Sequence, residues 1–295
     1  MITIHEALKE SENKLEKKVN TPLLDAQVIL CHILDVDRLY LIINKDRKLT
    51  KEEAYEYNEL IEKRLEGVPV QYIVGNQEFM GLSFYVEEGV LIPRPDTEIL
   101  IEKILENVDE SNSYNIVDIG TGSGAITVSL AKFIEKAHVF SVDISKKALK
   151  IATKNANANG VSSKISFLNG SLFSPLDDIG IKGKIDILVS NPPYIPSKKI
   201  EGLQVEVSKY EPRIALDGGE DGLDFYREII DKAPEYLRRG GLIVLEVGHD
   251  QARIVAGLME EKDQYVDIEI TKDLAGIERV VSGKIKAAKY EVHGG

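Results

Sequence analysis

One cysteine, Cys31, occurs in 295 residues. No intrachain disulfide can form, so a reducing compartment is the expected setting. Cys31 lies in an apolar helical pattern, which reads as core rather than nucleophile. Nowhere does a run approach the ~20 apolar residues that span a bilayer. The opening stretch MITIHEALKESENKLEKK is charged and amphipathic and does not read as a signal peptide. These absences predict a cytoplasmic protein with no membrane partner. A basic excess is also missing: 37 Lys and Arg stand against 49 Asp and Glu, a net charge of −12. That argues against a broad duplex-binding face and leaves a protein partner open. The five histidines show no metal-ligand spacing, so no metal is expected. Neither internal repeats nor low-complexity segments are present.

What remains is 43% hydrophobic and 29% charged, the composition of a chain that buries a core. The first part reads as short helices. Thr21-Pro22 is an N-cap signal followed by proline at the first helical position. Thr50 and Glu53 form a capping box, after which Ala54, Tyr57, Ile61 and Leu65 share one face until Gly67 and Pro69 end the helix. Residues 1–72 are thus expected to be a small helical domain. Residues 73–95 read as a linker carrying a β-hairpin around Gly81. Asp96 is expected to cap a helix running to about Asn107, and residues 96–295 form the larger domain.

There the pattern is regular. Strand-like runs at 115–119, 138–142, 165–168, 185–190, 242–247, 265–270 and 277–282 are interleaved with helical patterns at 124–135, 145–158, 223–238 and 249–261. Alternation of this kind predicts a doubly wound, Rossmann-like α/β sheet. The last two strands are joined by only a short loop near Asp273 to Gly276, too short for a parallel crossover, so the sheet should end in an antiparallel hairpin.

Strand, glycine loop and helix follow one another in NIVDIGTGSGAITVSLA. Gly120, Gly122 and Gly124 permit a tight turn and close approach of a ligand. The spacing Gly120-x-Gly122-x-x-Ala125 does not separate NAD from other adenosine ligands. Asp143, about 20 residues on at a strand end, suits the two hydroxyls of a ribose. Asp118 precedes the first glycine by two residues. Directed at the loop, its carboxylate would repel a pyrophosphate and favour a cofactor bearing an ammonium and a sulfonium, namely S-adenosylmethionine; alternatively it satisfies loop amides.

The apolar run Ile185 to Val189 ends in Asn191-Pro192-Pro193-Tyr194. Residues before proline are driven to extended geometry, and prolines donate no hydrogen bond. The Asn191 side-chain oxygen and the Pro192 carbonyl could accept both hydrogens of one –NH₂ group, with Tyr194 offering a face for stacking. If the first and fourth strands of the sheet are neighbours, Asn191 lies beside the glycine loop. A plain loop stiffener is the bland alternative. The 28 residues from Ile195 to Gly222 are long enough for a lid, with Arg213 and Asp217 setting its shape.

NPPY downstream of DIGTGSG resembles the amino-methyltransferases. Together with GVPVQYIVGNQEFMGLSFYVEEGVLIPRPDTE, SVDIS, YEPRIALDGGEDGLDFY and LEVGHDQ, the chain resembles the peptide chain release factor glutamine methyltransferases (HemK/PrmC family) over its whole length. The resemblance implies a class I S-adenosylmethionine-dependent fold and methyl transfer to the glutamine amide of a Gly-Gly-Gln motif, with S-adenosyl-L-homocysteine as product. It implies that Gly120, Thr121, Gly122, Ser123 and Gly124 line the cofactor with Asp118, Asp143 and Asn191, and that Asn191 to Tyr194 grip the glutamine. Leu172 stands where the family often has an aromatic, so stacking on adenine there would be replaced by apolar packing. Release factors are the implied partners, with no direct nucleic-acid contact. The alternatives are a nucleic-acid exocyclic-amine methyltransferase, a ribosomal-protein glutamine methyltransferase, a non-catalytic cofactor-binding adaptor and an NAD oxidoreductase.

Overall fold

The computed structural model describes residues 2–287. It divides into two compact units. The smaller comprises residues 1–76, 86–88 and 204–210. Its helices are α1 (Ile4–Leu15), α2 (Pro22–Leu34), α3 (Arg38–Ile43), α4 (Lys51–Leu65) and the short α5 (Val70–Val74). Thr3 with Glu6 and Thr50 with Glu53 both form reciprocal capping boxes, each satisfying amides at a helix start. Thr21 precedes α2 without capping it: its hydroxyl is given to the Asp25 carboxylate at 2.8 Å. Ile4, Leu15, Ile29, Leu30, Tyr57 and Ile61 form the core, with Cys31 packed at its margin as expected.

In the larger unit, β1 (Asn76–Phe79) and β2 (Leu82–Tyr85) make the expected hairpin. The stretch expected to be a linker is divided: residues 77–85 belong to the sheet-containing unit. The reason is burial, since Phe79 and Phe84 enter a core cluster of that unit and meet edge to face. Asp96 lies in a 3₁₀ turn before α6 (Glu98–Leu105) and does not cap it; its carboxylate pairs with Arg279 at 2.7 Å.

The remaining elements are β3 (Tyr114–Ile119), α7 (Ala125–Phe133), β4 (Ala137–Asp143), α8 (Lys146–Ala158), β5 (Ile165–Asn169) and β6 (Ile185–Ser190). After these come α9 (Val205–Tyr210), α10 (Asp224–Tyr236), β7 (Leu237–Glu246), α11 (Ala252–Glu260), β8 (Tyr265–Lys272) and β9 (Glu278–Ile285). Of these, α9 belongs to the smaller unit.

Seven strands form one sheet in the order β5-β4-β3-β6-β7-β9-β8. Strands β3 to β7 pair in parallel, while β9 is antiparallel to both β7 and β8. Side chains alternate between two core clusters: Ile116 packs with α6 and α7, whereas Val117 and Ile119 pack with α10 and α11. The chain runs from β3 outward to β5, then returns to place β6 on the other side of β3. That reversal opens a crevice at the carboxyl ends of β3 and β6.

Candidate active site

A cavity of about 230 Å³ occupies that crevice. Register puts Ile119 opposite Ser190, so Gly120 and Asn191 leave neighbouring strands side by side. The sequence expectation that Asn191 adjoins the glycine loop follows from this pairing. Gly120, Thr121, Gly122 and Ser123 line one wall, and Asn191, Pro192 and Pro193 line another. Asp143 stands at the end of β4; its oxygens accept from the Gly122 and Ser145 amides, each at 2.8 Å. Burial raises its pKa and those two bonds oppose the rise. Leu172 is also on the wall, with φ of 48°. Holding a γ-branched residue in the left-handed region costs about 1 kcal/mol, so the surrounding packing enforces this position.

Three expected residues are not on the wall. Asp118 is fully buried beneath the loop, where its Oδ2 accepts from Thr121 at 2.8 Å and from Thr127 at 2.6 Å. Strand alternation explains this: Ile119 reaches the cavity, so Asp118 points to the α7 side. Gly124 serves packing, since a Cβ there would lie 2.9 Å from the Cβ of Ala152 on α8. Tyr194 turns away as well; its ring packs against the core shared with α10 and α11, not across the cavity. Burial lifts its phenol to about 12.

Residues 6–75 match the family model described as the PrmC N-terminal domain, and residues 95–206 match the methyltransferase small domain. A release factor glutamine methyltransferase of Geobacter sulfurreducens is 44% identical over 270 residues, 92% of each chain. One of Bacillus anthracis is 38% identical over 286 residues, covering 96% of this chain and 99% of its own. The chain belongs to the release factor glutamine methyltransferase family. The crystal structure of a methyltransferase from Pyrococcus furiosus shares the fold, with a TM-score of 0.50, 17% identity, and coverage of 71% of this chain and 91% of its own.

In this member of the family the cavity residues fit S-adenosylmethionine, its cofactor. No atom lies within 4 Å of a Cβ built on Gly122, so the loop leaves room for close approach. Asp143 keeps two acceptor positions beyond its two backbone bonds, enough for a pair of ribose hydroxyls. Leu172 and Ile144 supply apolar wall for a base.

Sequence reading missed the residues that brace this site. Asn155 on α8 is fully buried; its amide nitrogen bonds the carbonyls of Ser123 at 2.8 Å and Tyr85 at 3.0 Å, and its oxygen accepts from the Tyr85 amide. Gln251, buried before α11, donates to the Tyr194 carbonyl at 3.0 Å and to the Gly222 carbonyl at 3.2 Å. The lid expectation for Arg213 and Asp217 meets a local brace: Arg213 pairs with Asp217 at 3.1 Å, and Ser197 donates to the same carboxylate at 2.5 Å. Gly222 has φ of 81°, and an added Cβ would strike the Tyr194 carbonyl and come within 2.8 Å of Gln251 Nε2. Gly222→Ala should therefore cost about 1–3 kcal/mol and lower turnover by shifting the Asn191–Tyr194 segment. Urea denaturation and turnover on one preparation would check this; an unchanged midpoint would contradict the packing of Tyr194 on Gly222.

Two carboxyls beside the site are buried without cations of their own. Burial raises Asp118 to about 6 and Glu246 to about 7. Among the described residues, one oxygen of each lacks a hydrogen-bond partner. Both are raised, so the folded state holds these protons more tightly than the unfolded chain. Their stabilising contribution is complete below the unfolded carboxylate range and is lost as pH rises through about 6 and about 7. Glu246→Gln removes one such group. Its Tm relative to wild type should therefore climb between about pH 4.5 and about pH 7 and level off above that. A constant difference would show that Glu246 does not titrate in this range.

Proposed function

We propose that this chain transfers a methyl group from S-adenosylmethionine to the side-chain amide nitrogen of the glutamine in a Gly-Gly-Gln motif of release factors. The observation that carries the reading is the meeting of the Asn191-Pro192-Pro193 wall and the glycine loop across one cavity. S-adenosylmethionine, when bound, supplies an electrophilic methyl group. An amide nitrogen is a poor nucleophile because its lone pair is delocalised into the carbonyl. The Asn191 side-chain oxygen and the Pro192 carbonyl accept its two hydrogens, favouring a pyramidal nitrogen and aiming its lone pair. Rate enhancement then comes from positioning and electrostatics. The proton lost from the methylated nitrogen passes to solvent, and no strong base is required.

The net charge of −12 supports a protein acceptor over a nucleic-acid one. Among the described residues no helix is long and apolar enough to cross a membrane. Release factors act with the ribosome, so the reading places the reaction in the cytoplasm. We assign the docking of the release factor to the smaller helical unit, because it stands outside the catalytic fold.

The test is to incubate the protein with isotopically labelled S-adenosylmethionine and, separately, a release factor, ribosomal proteins and duplex DNA, then map label by mass spectrometry. Label on the glutamine of Gly-Gly-Gln is expected. Label only on a ribosomal protein or on a DNA amine would replace the acceptor, and label on none would overturn the reading.

A further inference from the structure

Among the described residues that line the cavity, Arg94 is the one cation and Asp143 the one carboxylate. Arg94 stands between Pro93 and Pro95, so its backbone is restrained from both sides and runs extended, with φ of −104° and ψ of 140°. Its guanidinium is anchored by a carboxylate sealed from water. Arg94 Nη2 donates to Glu211 Oε2 at 2.6 Å, and Glu211 Oε1 accepts from the Ile92 amide at 3.2 Å. The Glu211 side chain is 1% exposed, whereas that of Arg94 is 38% exposed. A guanidinium carries five N–H hydrogens in a rigid fork. Among the described residues, none accepts from Arg94 Nε or Nη1.

We propose that Arg94 binds the carboxylate at the amino-acid end of S-adenosylmethionine, and that Glu211 is the positioning residue that fixes its guanidinium. The cofactor brings two ribose hydroxyls, a sulfonium, an ammonium and one carboxylate into the cavity. Asp143 only accepts, so it suits the hydroxyls and repels a carboxylate; Arg94 only donates, so it suits the carboxylate and repels both cationic groups. The planar fork also matches a carboxylate with paired N–H bonds, which a point charge does not. The two charged residues thus tell one end of the cofactor from the other. Glu211 adds preorganisation, because an arginine already held at Nη2 has less rotamer freedom to lose when a ligand binds. It also precedes Pro212, Ile214 and Ala215, which line the same cavity, so one carboxylate ties two segments of the wall together. The inference rests on the cavity being the cofactor's site.

The experiment is calorimetric titration of the intact protein with S-adenosyl-L-homocysteine and with its decarboxylated analogue, which keeps the amine and lacks only the carboxylate. Wild type should prefer S-adenosyl-L-homocysteine by about 10- to 100-fold, the usual worth of hydrogen bonds to a charged group. Arg94→Met should weaken S-adenosyl-L-homocysteine by a similar factor and hold the analogue within about threefold, so the preference collapses. Arg94→Lys keeps the charge without the fork and should fall between the two. Glu211→Gln should weaken S-adenosyl-L-homocysteine alone, and by less than Arg94→Met. Because Arg94→Met strands the buried Glu211 charge, Arg94→Met/Glu211→Gln is titrated beside it, with a thermal melt of each, and should show the same collapse.

Equal losses for both ligands in the double variant would overturn the proposal and leave Arg94 a support of the wall. Unchanged affinity for S-adenosyl-L-homocysteine with a raised KM for the release factor would overturn it by placing Arg94 against the acceptor. None of these titrations contains a methyl acceptor, so a wrong acceptor would leave them untouched. Failure of wild type to bind either ligand would remove the cofactor site and the proposal with it.

Discussion

Asn191→Ala should lower kcat by about 10²–10³-fold while S-adenosylmethionine binds within about threefold of wild type. The size follows from what the side chain does. It is a preorganised acceptor aimed at a group whose polarity changes during the reaction, and deleting one such partner removes about 3–4 kcal/mol of transition-state stabilisation. Cofactor affinity should be spared for a separate reason. The glycine loop and Asp143 sit on β3 and β4, whereas Asn191 enters from β6, and an alanine there leaves the backbone course set by Pro192 and Pro193 unchanged. Single-turnover label transfer and calorimetric titration separate the two effects. A variant within about threefold of wild-type kcat would show that the amide is held by other groups. Equal losses in kcat and in cofactor affinity would instead place Asn191 chiefly against the cofactor.

Features that depend on local spacing were readable from the sequence. The glycine loop, the carboxylate about 20 residues later and the strand ended by two prolines each lie within one supersecondary unit, and their geometry follows from turn and strand rules. The adjacency of β3 and β6 was only a condition in the sequence reading, and the sheet order of the structure supplies it. Three expected residues lie off the cavity wall, and for Asp118 and Tyr194 the reason is side-chain direction. Asp118 was expected in the cavity because it precedes the loop, but strand alternation gives that face to Ile119 and sends Asp118 to Thr121 and Thr127. Gly124 was grouped with its neighbours, yet its lack of a Cβ serves the approach of α7 to α8. Tyr194 was read as a stacking face, whereas its ring packs against the core and its carbonyl accepts from Gln251.

The braces were hidden for a different reason. Thr97 and Asn191 are 94 positions apart, Tyr194 and Gln251 are 57 apart, and Tyr85 and Asn155 are 70 apart. No periodicity within one sequence encodes such pairs. Glu246 illustrates the limit: in LEVG it looks like the polar end of a strand, and nothing local says that the fold buries it to 3% exposure. The same holds for residues 204–210, which lie within the sequence of the larger unit and group with the smaller.

Arg64→Met should destabilise the smaller helical unit by about 3–5 kcal/mol, the usual cost of leaving a buried charge without its partner. Arg64 closes α4 with 3% of its side chain exposed. Its Nε meets Asp25 at 2.7 Å, its Nη1 donates to the Val68 carbonyl at 3.2 Å, and its Nη2 pairs with Glu206 on α9. Three segments of the unit therefore converge on one guanidinium, and a methionine fills much of its volume without satisfying any of them. Asp25 retains only the Thr21 hydroxyl as a side-chain partner, in a site from which water is largely excluded. The double variant Asp25→Leu/Arg64→Met removes the stranded charge as well, so it should recover much of the loss. Hydrogen exchange of amides in α2 and α4 reads this unit separately from the sheet, which a single global melt would not. Unchanged protection in Arg64→Met would mean that the ion pair is solvated in solution. If the unit docks the release factor, the destabilised variant should raise the KM for the whole protein while its kcat on a short Gly-Gly-Gln peptide stays close to wild type, because every residue assigned to the cavity lies in the other unit.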